Sequence, residues 1–201
     1  MNMRIAFGGE SLIDFTAPGA LAFQGREGRA LTNSAIAAAR MGQPTGFVTQ
    51  LSTDLFGERL LGYMRANGID TRFVPRSAAP TTLAFVERTP ASDRYAFYMQ
   101  GTADTPCARD MLPPLPDSCR YLHFGSTTPF GAGLSVGMLE QGVEQPSQLA
   151  AVSDAQWRAV LRFAVTAAAL NCTREGADPP RRAELSGRRP CIPLNPTTRQ
   201  H

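Results

Sequence analysis

The sequence predicts an α/β fold, in which a parallel sheet is flanked by helices and carries a small antiparallel sheet. Short apolar runs alternate with amphipathic helical segments along the first third of the 201 residues. This alternation is typical of parallel strands joined by covering helices. Two runs rich in β-forming residues then follow one another across a short turn, which indicates an antiparallel hairpin inserted into the alternating chain.

Apolar runs bounded by glycine and polar residues predict the strands. The run MRIAFGGESLIDF predicts a buried strand over residues 5–7, a glycine turn and a second short apolar stretch that ends at Asp14. Proline and glycine punctuate residues 16–28, so this segment is expected to be a loop with an edge strand. Further strands are predicted near 46–50 and 120–124, and these join the first strand in the parallel sheet.

Capping signals bound three predicted helices. The segment LTNSAIAAARMG has a polar cap candidate at Thr32 or Asn33 and ends in glycine. Asp54 can cap the next helix, which carries an apolar stripe and ends at Gly68. A third helix opens near residue 153 with a capping box of the form Ser-x-x-Gln.

The predicted hairpin consists of the runs TTLAFVER and DRYAFYMQ, joined by the turn TPAS. Alternation with a period of two puts Leu83 and Phe85 on one face of the first strand. In the second strand, Tyr95 and Phe97 share a face in the same way. A small sheet that projects from an α/β body is a common way to build a lid.

Composition excludes several classes of function. The chain contains no lysine among its 20 basic residues, which excludes a Walker P-loop and Schiff-base chemistry. A net charge of +3 is too small to indicate nucleic-acid binding, and no apolar run is long enough for a membrane span. The four cysteines are scattered and only two histidines accompany them, so we expect free thiols in a reducing cytoplasm and no zinc site.

Several segments follow one another in an order that is itself informative: GGESLIDF, GRALTNSAIAAARMG, STDLFGERLLGYMRANGID, PTTLAFV, YAFY, GTAD and YLHFGS. This ordered set resembles the PfkB-type (ribokinase-like) carbohydrate kinases, and among them the fructokinases. The segment LRFAVTAAALNCTREGADPPRRAEL is similar to the family's C-terminal helix and nucleotide-side loop. The resemblance implies a ribokinase-like (Rossmann-like) parallel sheet in a single domain over 1–201, with an antiparallel β-lid at about 14–30 and 71–103.

A sugar site is implied by the same resemblance. Asp14 matches the family aspartate that hydrogen-bonds sugar hydroxyls, and Asn33 matches the asparagine beside it. A carboxylate accepts hydrogen bonds from vicinal hydroxyls, and an amide both donates and accepts. Gly28 and the lid residue Phe97 complete the expected substrate-binding set. From the residues alone, Asp14 is equally explained as a turn residue and Asn33 as a helix cap.

The donor side of the reaction is also implied by the resemblance. ATP is the expected phosphoryl donor, with Gly176 and Ala177 in the nucleotide-binding loop. Mg²⁺ would bridge the donor phosphates, and a monovalent cation is a further expected cofactor. The expected partners are a small-molecule sugar and a second copy of the chain bound through the β-lid, with no nucleic acid and no membrane.

Three positions depart from the family pattern. Arg29 stands where the second of two adjacent glycines is expected, and its side chain would fill space meant for substrate. Ser52 replaces an expected glycine. Met99 stands where fructokinases commonly carry an arginine. Together these changes weaken the expectation of ordinary sugar binding.

The stretch GSTTPFGAGLSVGMLEQG at 125–142 bears on catalysis, because glycine-rich turns that open a helix are common phosphate sites. In the family, a G-A-G-D turn supplies an anion hole through its amides and a general base through its aspartate. Either residues 131–133 are that turn with Leu134 in place of the base, or Phe130 follows the missing motif and FGAGL is the next helical turn. We favour the second interpretation.

No aspartate occupies the base position in either interpretation, so no catalytic residue is assigned. The second interpretation also implies an internal deletion near 128–130 and an incomplete sheet. Nearby acidic residues are expected to be solvated surface carboxylates: Asp104, Asp110, Glu140 and Glu144. We therefore expect an ATP-dependent kinase for a sugar such as fructose, with impaired catalysis. The alternatives are a non-catalytic remnant that binds sugar or dimerises, and a decaying gene product without function.

Overall fold

The computed structural model describes residues 2–19, 22–28, 30–88, 93–104, 114–124, 129–173 and 178–185. The strands are β1 (Ile5–Gly8), β2 (Leu12–Gly19), β3 (Ala22–Gly28), β4 (Thr45–Val48), β5 (Leu51–Ser52), β6 (Arg76–Ser77), β7 (Leu83–Arg88), β8 (Asp93–Tyr98) and β9 (Tyr121–Phe124). The α-helices are α1 (Ala30–Arg40), α2 (Leu55–Ala66), α3 (Pro129–Glu140), α4 (Asp154–Cys172) and α5 (Arg182–Leu185). A 3-10 helix at Pro146–Ala151 precedes α4.

The main sheet has the strand order β4-β1-β9, and both of its strand pairs are parallel. Ile5 of β1 pairs with Thr45 on one side and with Tyr121 on the other. The three predicted parallel strands are therefore confirmed. Phe7 and Phe47 are fully buried and belong to the largest apolar cluster, to which α1, α2 and α3 contribute their apolar faces. This cluster is the core on which the small sheet rests.

The small sheet has the order β3-β2-β7-β8. The β2–β3 and β7–β8 pairs are antiparallel, which confirms the predicted hairpin, but the central β2–β7 pair is parallel. The sheet is thus mixed, and the expectation of a purely antiparallel lid is wrong. The reason is that β7 follows β2 only after α1 and α2, and such a crossover brings a strand back in the parallel direction.

Residues 16–28 are mostly strand, so the prediction of a loop there is wrong, although β3 is the predicted edge strand. At Gly25, packing explains the glycine instead. A Cβ atom built at Gly25 would lie 2.9 Å from the ring of Phe15, so the strand needs glycine at this position. The pairing of β2 with β3 has a register irregularity between Thr16 and Gly19.

The helix boundaries follow the predicted signals in two of three helices. The side chain of Asp54 caps α2, and Gly68 follows the helix with a φ of 77°. The capping box at the start of α4 is also present. α1, however, begins at Ala30, so Thr32 and Asn33 lie inside its first turn and the predicted cap is wrong. Alanine and leucine before them are good helix formers and extend the helix toward its N-terminus.

The main sheet is incomplete beyond β9. Among the described residues, no strand pairs with the outer edge of β9. Two of its apolar side chains are exposed, Leu122 at 49% and Phe124 at 57%. This agrees with the expected incomplete sheet. None of the helices in the described part of the chain has the length and hydropathy that a membrane crossing requires.

Candidate functional site

The pairing of the small sheet places Asp14 and Phe97 on one face. Asp14 lies directly opposite Ala84, and Ala84 lies directly opposite Phe97. Residues that face each other across strands project from the same side of a sheet. Phe15, the next residue along β2, projects to the other side, where its ring stacks on Phe85 at 5.0 Å and meets Phe56. Asp14 and Phe97 therefore share the face opposite this aromatic cluster.

Gly28 brings Asn33 to the same face. Gly28 pairs with Leu12, which is two residues before Asp14 and so projects to the same side as Asp14. A Cβ atom built at Gly28 would lie 3.2 Å from Oδ1 of Asn33, so the absence of a side chain lets the amide lie against the strand. The four predicted substrate-binding residues, Asp14, Gly28, Asn33 and Phe97, are thus grouped on one side of the small sheet.

Three buried polar atoms at this end of the fold have no partner among the described residues. Oδ1 of Asn33 and the hydroxyl oxygens of Ser11 and Thr32 make no hydrogen bond to the described residues. A buried polar atom without a partner costs about 1–3 kcal/mol, so such a group marks a place where a ligand can supply the missing bonds. Sequence reasoning did not assign Ser11 or Thr32 to a site. Their signal was only a serine in a glycine turn and a threonine beside Asn33.

An aromatic surface continues from Phe97. The rings of Tyr95 and Phe97 lie 5.8 Å apart and are nearly parallel, and their side chains are 58% and 44% exposed. Met99 follows at the same alternation and is also exposed. This surface is apolar where the family pattern commonly has an arginine, so the lid offers stacking area and no positive charge at Met99.

An open groove of about 550 Å³ lies at the end of the β7–β8 hairpin. Its lining is mainly apolar and includes Leu83, Phe85, Phe97, Tyr98 and Met99. Asp14 and Asn33 do not line this groove, although Phe97 does. The groove therefore shares Phe97 with the predicted substrate-binding residues, but it is not the site that Asp14 and Asn33 would form.

Residues 129–140 of the glycine-rich stretch form α3, and helix packing explains two of its glycines. A Cβ atom built at Gly133 would lie 2.7 Å from the Cα atom of Ala164 in α4. At Gly137 the corresponding distance to the Cα atom of Val160 is 3.2 Å. Both glycines let the backbones of α3 and α4 approach closely, as small residues do at helix interfaces. Leu134 is partly buried in an apolar cluster and supplies no base.

The acidic residues near this junction are engaged elsewhere. Glu140 pairs with Arg182, and Glu144 pairs with Arg4 and with Arg120 at 3.6 Å. Asp104 accepts hydrogen bonds from the hydroxyls of Thr82 and Thr102. Glu140 is exposed, as expected, whereas Glu144 and Asp104 are partly exposed, and each of the three has a protein partner. Asp110 lies outside the described residues.

The predicted nucleotide-binding residues Gly176 and Ala177 also lie outside the described residues, as does Arg29. Within the described ranges, no group of three His, Cys, Asp or Glu side chains could hold a metal ion. Cys119 is half-buried, and burial raises the pKa of its thiol. Burial also lowers the pKa of His123, whose ring lies 5.6 Å from that of Phe7. Neither group belongs to the polar cluster around Asn33.

A stretch that begins at Gly28 and includes α1, α2, β7 and β8 resembles one known family. Residues 28–120 match the pfkB family of carbohydrate kinases. A fructokinase of Rhizobium leguminosarum bv. trifolii is 39% identical over 122 residues, which cover 59% of this chain and 37% of that protein. Probable fructokinase-3 of Arabidopsis thaliana is 36% identical over 131 residues, with the same two shares. The predicted resemblance to pfkB-type fructokinases is confirmed.

Solved structures share the fold. The fructokinase of Xylella fastidiosa superposes with a TM-score of 0.55 at 26% identity, over 71% of this chain and 48% of that chain. Its structure with bound ATP gives 0.54 at 24% identity over 70% and 49%. A putative ribokinase II from E. coli gives 0.57 at 16% identity over 82% and 60%. The ribokinase-like fold class is confirmed, and the chain spans about half the length of the fructokinase structures.

Proposed function

We propose that this chain binds a sugar such as fructose on the face of the small sheet that carries Asp14, Gly28, Asn33 and Phe97. One observation supports this most directly: Oδ1 of Asn33 is buried, makes no hydrogen bond to the described residues and lies against Gly28. An apolar ligand would leave that oxygen unsatisfied, whereas a sugar hydroxyl can donate to it. The pfkB-type resemblance of residues 28–120 supports the same class of ligand.

Each of the four residues has a separate task in this proposal. The carboxylate of Asp14 accepts hydrogen bonds from two neighbouring hydroxyls, and the amide of Asn33 accepts from one and donates to another. Gly28 lets backbone and sugar approach closely, because a side chain there would fill the space beside Asn33. The exposed ring of Phe97 covers the apolar C–H face of the sugar.

The proposed phosphoryl donor is ATP, bound by Gly176 and Ala177. The fructokinase of Xylella fastidiosa, which shares the fold, has been crystallised with ATP. Mg²⁺ would stabilise the developing charge on the transferred phosphoryl group. Because the described residues hold no cluster of metal ligands, the donor phosphates and water would supply its ligands. The monovalent cation stays a prediction, as does the cytoplasmic location.

Phosphoryl transfer by this chain is proposed to be severely impaired. General base catalysis typically contributes about 10²–10⁴-fold to the rate. The helix that occupies the corresponding stretch, α3, has the sequence PFGAGLSVGMLE, and its one acidic residue, Glu140, is its last residue and pairs with Arg182. No carboxylate at the start of α3 is therefore available to take the proton from a sugar hydroxyl.

The alternative proposal is a remnant of a sugar kinase that binds sugar, or dimerises, without catalysis. An aromatic surface favours the dimerising form. Phe23 and Tyr98 are exposed on the face of the small sheet opposite Asp14, and both rings contact Phe85. Exposed apolar surface of this kind is a common protein-binding feature. A second copy of the chain would bind there through the lid.

Ligand-dependent stability and turnover test the proposal together. Fructose at about a hundredfold excess over its Kd should stabilise the chain by about 2.7 kcal/mol, which raises Tm on the order of 5–10 °C. Asp14→Asn, which removes the charge but not the shape, should abolish this shift. Asp117→Asn changes an exposed aspartate in the loop before β9 and should leave it intact.

A coupled ADP-release assay across a panel of sugars with ATP and Mg²⁺ tests whether the chain transfers a phosphoryl group. We expect no sugar-dependent turnover above background. If wild-type protein shows no fructose-dependent Tm shift, the sugar-binding proposal is wrong. Turnover that disappears in Asp14→Asn would instead mean that a carboxylate elsewhere in the chain serves as the base.

A further inference from the structure

Two short segments join the β7–β8 hairpin to the main layer, and their ends are hydrogen-bonded to each other. The backbone N–H of Ala103 donates to the carbonyl of Pro80 at 2.9 Å. The hydroxyl of Thr82 contacts that of Thr102 at 2.7 Å and also donates to the carboxylate of Asp104. The entering and leaving segments are thus held together where the hairpin begins.

A single carboxylate from outside the hairpin fixes the entering segment. Oδ1 of Asp54 accepts from the backbone N–H of Gly57 at 2.8 Å and from the hydroxyl of Thr81 at 2.6 Å. Oδ2 accepts from the backbone N–H of Thr81 at 2.9 Å. Thr81 is buried and lies two residues before β7. Asp54 therefore connects the first turn of α2 to the start of the hairpin.

The bonds to Thr81 exceed what the helix requires. An N-cap needs one side-chain acceptor for a backbone N–H of the first turn, and asparagine or serine provides it as well as aspartate does. The bond to Gly57 meets that need. Partial burial raises the pKa of Asp54, but the hydrogen bonds from Thr81, Gly57 and Ser52 outweigh it and the pKa lies below its ordinary value. The ionised carboxylate can therefore accept from all of its donors.

We propose that Asp54 is a positioning residue for the sugar site. Its carboxylate holds Thr81, and through Thr81 the hairpin, in the pose that places Phe97 on the face of Asp14. We call the hydrogen bonds between Asp54 and Thr81 the clasp. Because β7 begins two residues after Thr81, a change at the clasp moves both strands of the hairpin. The link to sugar rests on the proposed function, whereas the link between Asp54 and the mobility of the hairpin does not.

Two nearly isosteric variants distinguish the role of Asp54 in holding Thr81 from its role in capping α2. Asp54→Asn keeps one oxygen for the N–H of Gly57, but its amide nitrogen cannot accept from the N–H of Thr81. Thr81→Val keeps a β-branched side chain and loses the hydroxyl donor. Thr166→Val is the control, because its hydroxyl bonds to a carbonyl within α4, away from the hairpin.

Native-state hydrogen exchange measures how strongly Asp54 restrains the hairpin. We expect amides of β7 and β8 to exchange about tenfold faster in Asp54→Asn and in Thr81→Val, since each variant loses one hydrogen bond to the carboxylate and keeps the others. Amides of β1 and β4 should exchange as in the wild type, and the double variant should add little to either single change. Unchanged exchange in the hairpin, or an equal rise in β1, would overturn the proposal.

A fructose titration of the same variants tests the link to the site. If only the clasped pose binds sugar, the apparent Kd should rise several-fold in Asp54→Asn and Thr81→Val, and not in Thr166→Val. Equal fructose affinity in wild type and Asp54→Asn, with a more mobile hairpin, would refute the positioning role. If the wild type shows no fructose-dependent shift, the sugar proposal fails, and the exchange experiment still decides whether Asp54 restrains the hairpin.

Discussion

Gly133→Ala should destabilise the chain, although the same change in an exposed helix stabilises it. The added methyl group would lie 2.7 Å from the Cα atom of Ala164, whereas carbon atoms in contact are normally about 3.5–4.0 Å apart. Because the obstacle is backbone, relief requires α3 and α4 to separate along their interface. Gly62 provides the matched control, since it is exposed in α2 and nothing lies within 4 Å of a Cβ atom built there.

The magnitude follows from comparing the two substitutions. Alanine gains about 0.5–1 kcal/mol over glycine inside a helix, and this gain applies at both positions. At Gly133 the gain opposes an overpacking cost of about 1–3 kcal/mol. Gly62→Ala should therefore stabilise the chain, and Gly133→Ala should be less stable than Gly62→Ala by about 1–3 kcal/mol. The difference isolates the close approach of α3 and α4.

Urea denaturation followed by tryptophan fluorescence is suited to this comparison. The single tryptophan, Trp157, lies in α4 and packs against the apolar cluster that contains Met138 and Val160. Equal stabilisation by both alanine substitutions would refute the close helix contact. The glycines of the stretch would then need another explanation, and a backbone phosphate site at the start of α3 would return as the leading one.

Two further predictions concern charge and the open sheet edge. Hydrogen bonds from Arg72 hold the pKa of Asp70 below its ordinary value of 3.8, so this stabilisation is complete above about pH 5 and is lost as the pH falls through the lowered pKa. Urea midpoints of the wild type and Asp70→Asn should therefore converge in acid, and a constant gap would contradict the reasoning. No described strand pairs with the outer edge of β9, where Leu122 is exposed. This edge should cause self-association that Leu122→Glu reduces, whereas Leu161→Glu on α4 should not; a monodisperse wild-type monomer in sedimentation would disprove this.

Local signals made much of the fold predictable. The parallel strands follow from apolar runs, and the ends of α2 follow from Asp54 and Gly68, because caps and left-handed glycines act within a few residues. The parallel pairing of β2 with β7 joins segments separated by two helices and has no local signature. Gly25 contributed to the wrong prediction of a loop, because its role also depends on a tertiary contact. In sequence, a glycine that leaves room for an aromatic ring looks the same as one that turns the chain.

The candidate site also contains residues that the sequence predicted and residues that it could not predict. Asp14, Gly28, Asn33 and Phe97 were proposed from an ordered resemblance. The strand register puts Asp14, Gly28 and Phe97 on one face of the small sheet, and Asn33 of α1 lies against Gly28. Ser11 and Thr32 could not be predicted, since their hydroxyls stand out only when burial and the lack of a partner among the described residues are known. The sequence predicted that Asp54 caps α2, but it did not predict the hydrogen bonds from Thr81 to Asp54, because these depend on tertiary structure.

Under the proposed function, sugar binding and catalysis depend on different parts of this chain. The proposed sugar contacts lie on β2, β3 and β8 of the small sheet and on α1, and none of them lies on α3. Proton removal, in contrast, needs a carboxylate at the start of a helix that here packs its glycines against α4. A sugar that reaches Asp14 and Asn33 would be held without a base to activate its hydroxyl. Ligand binding without turnover is the behaviour that this arrangement of residues favours.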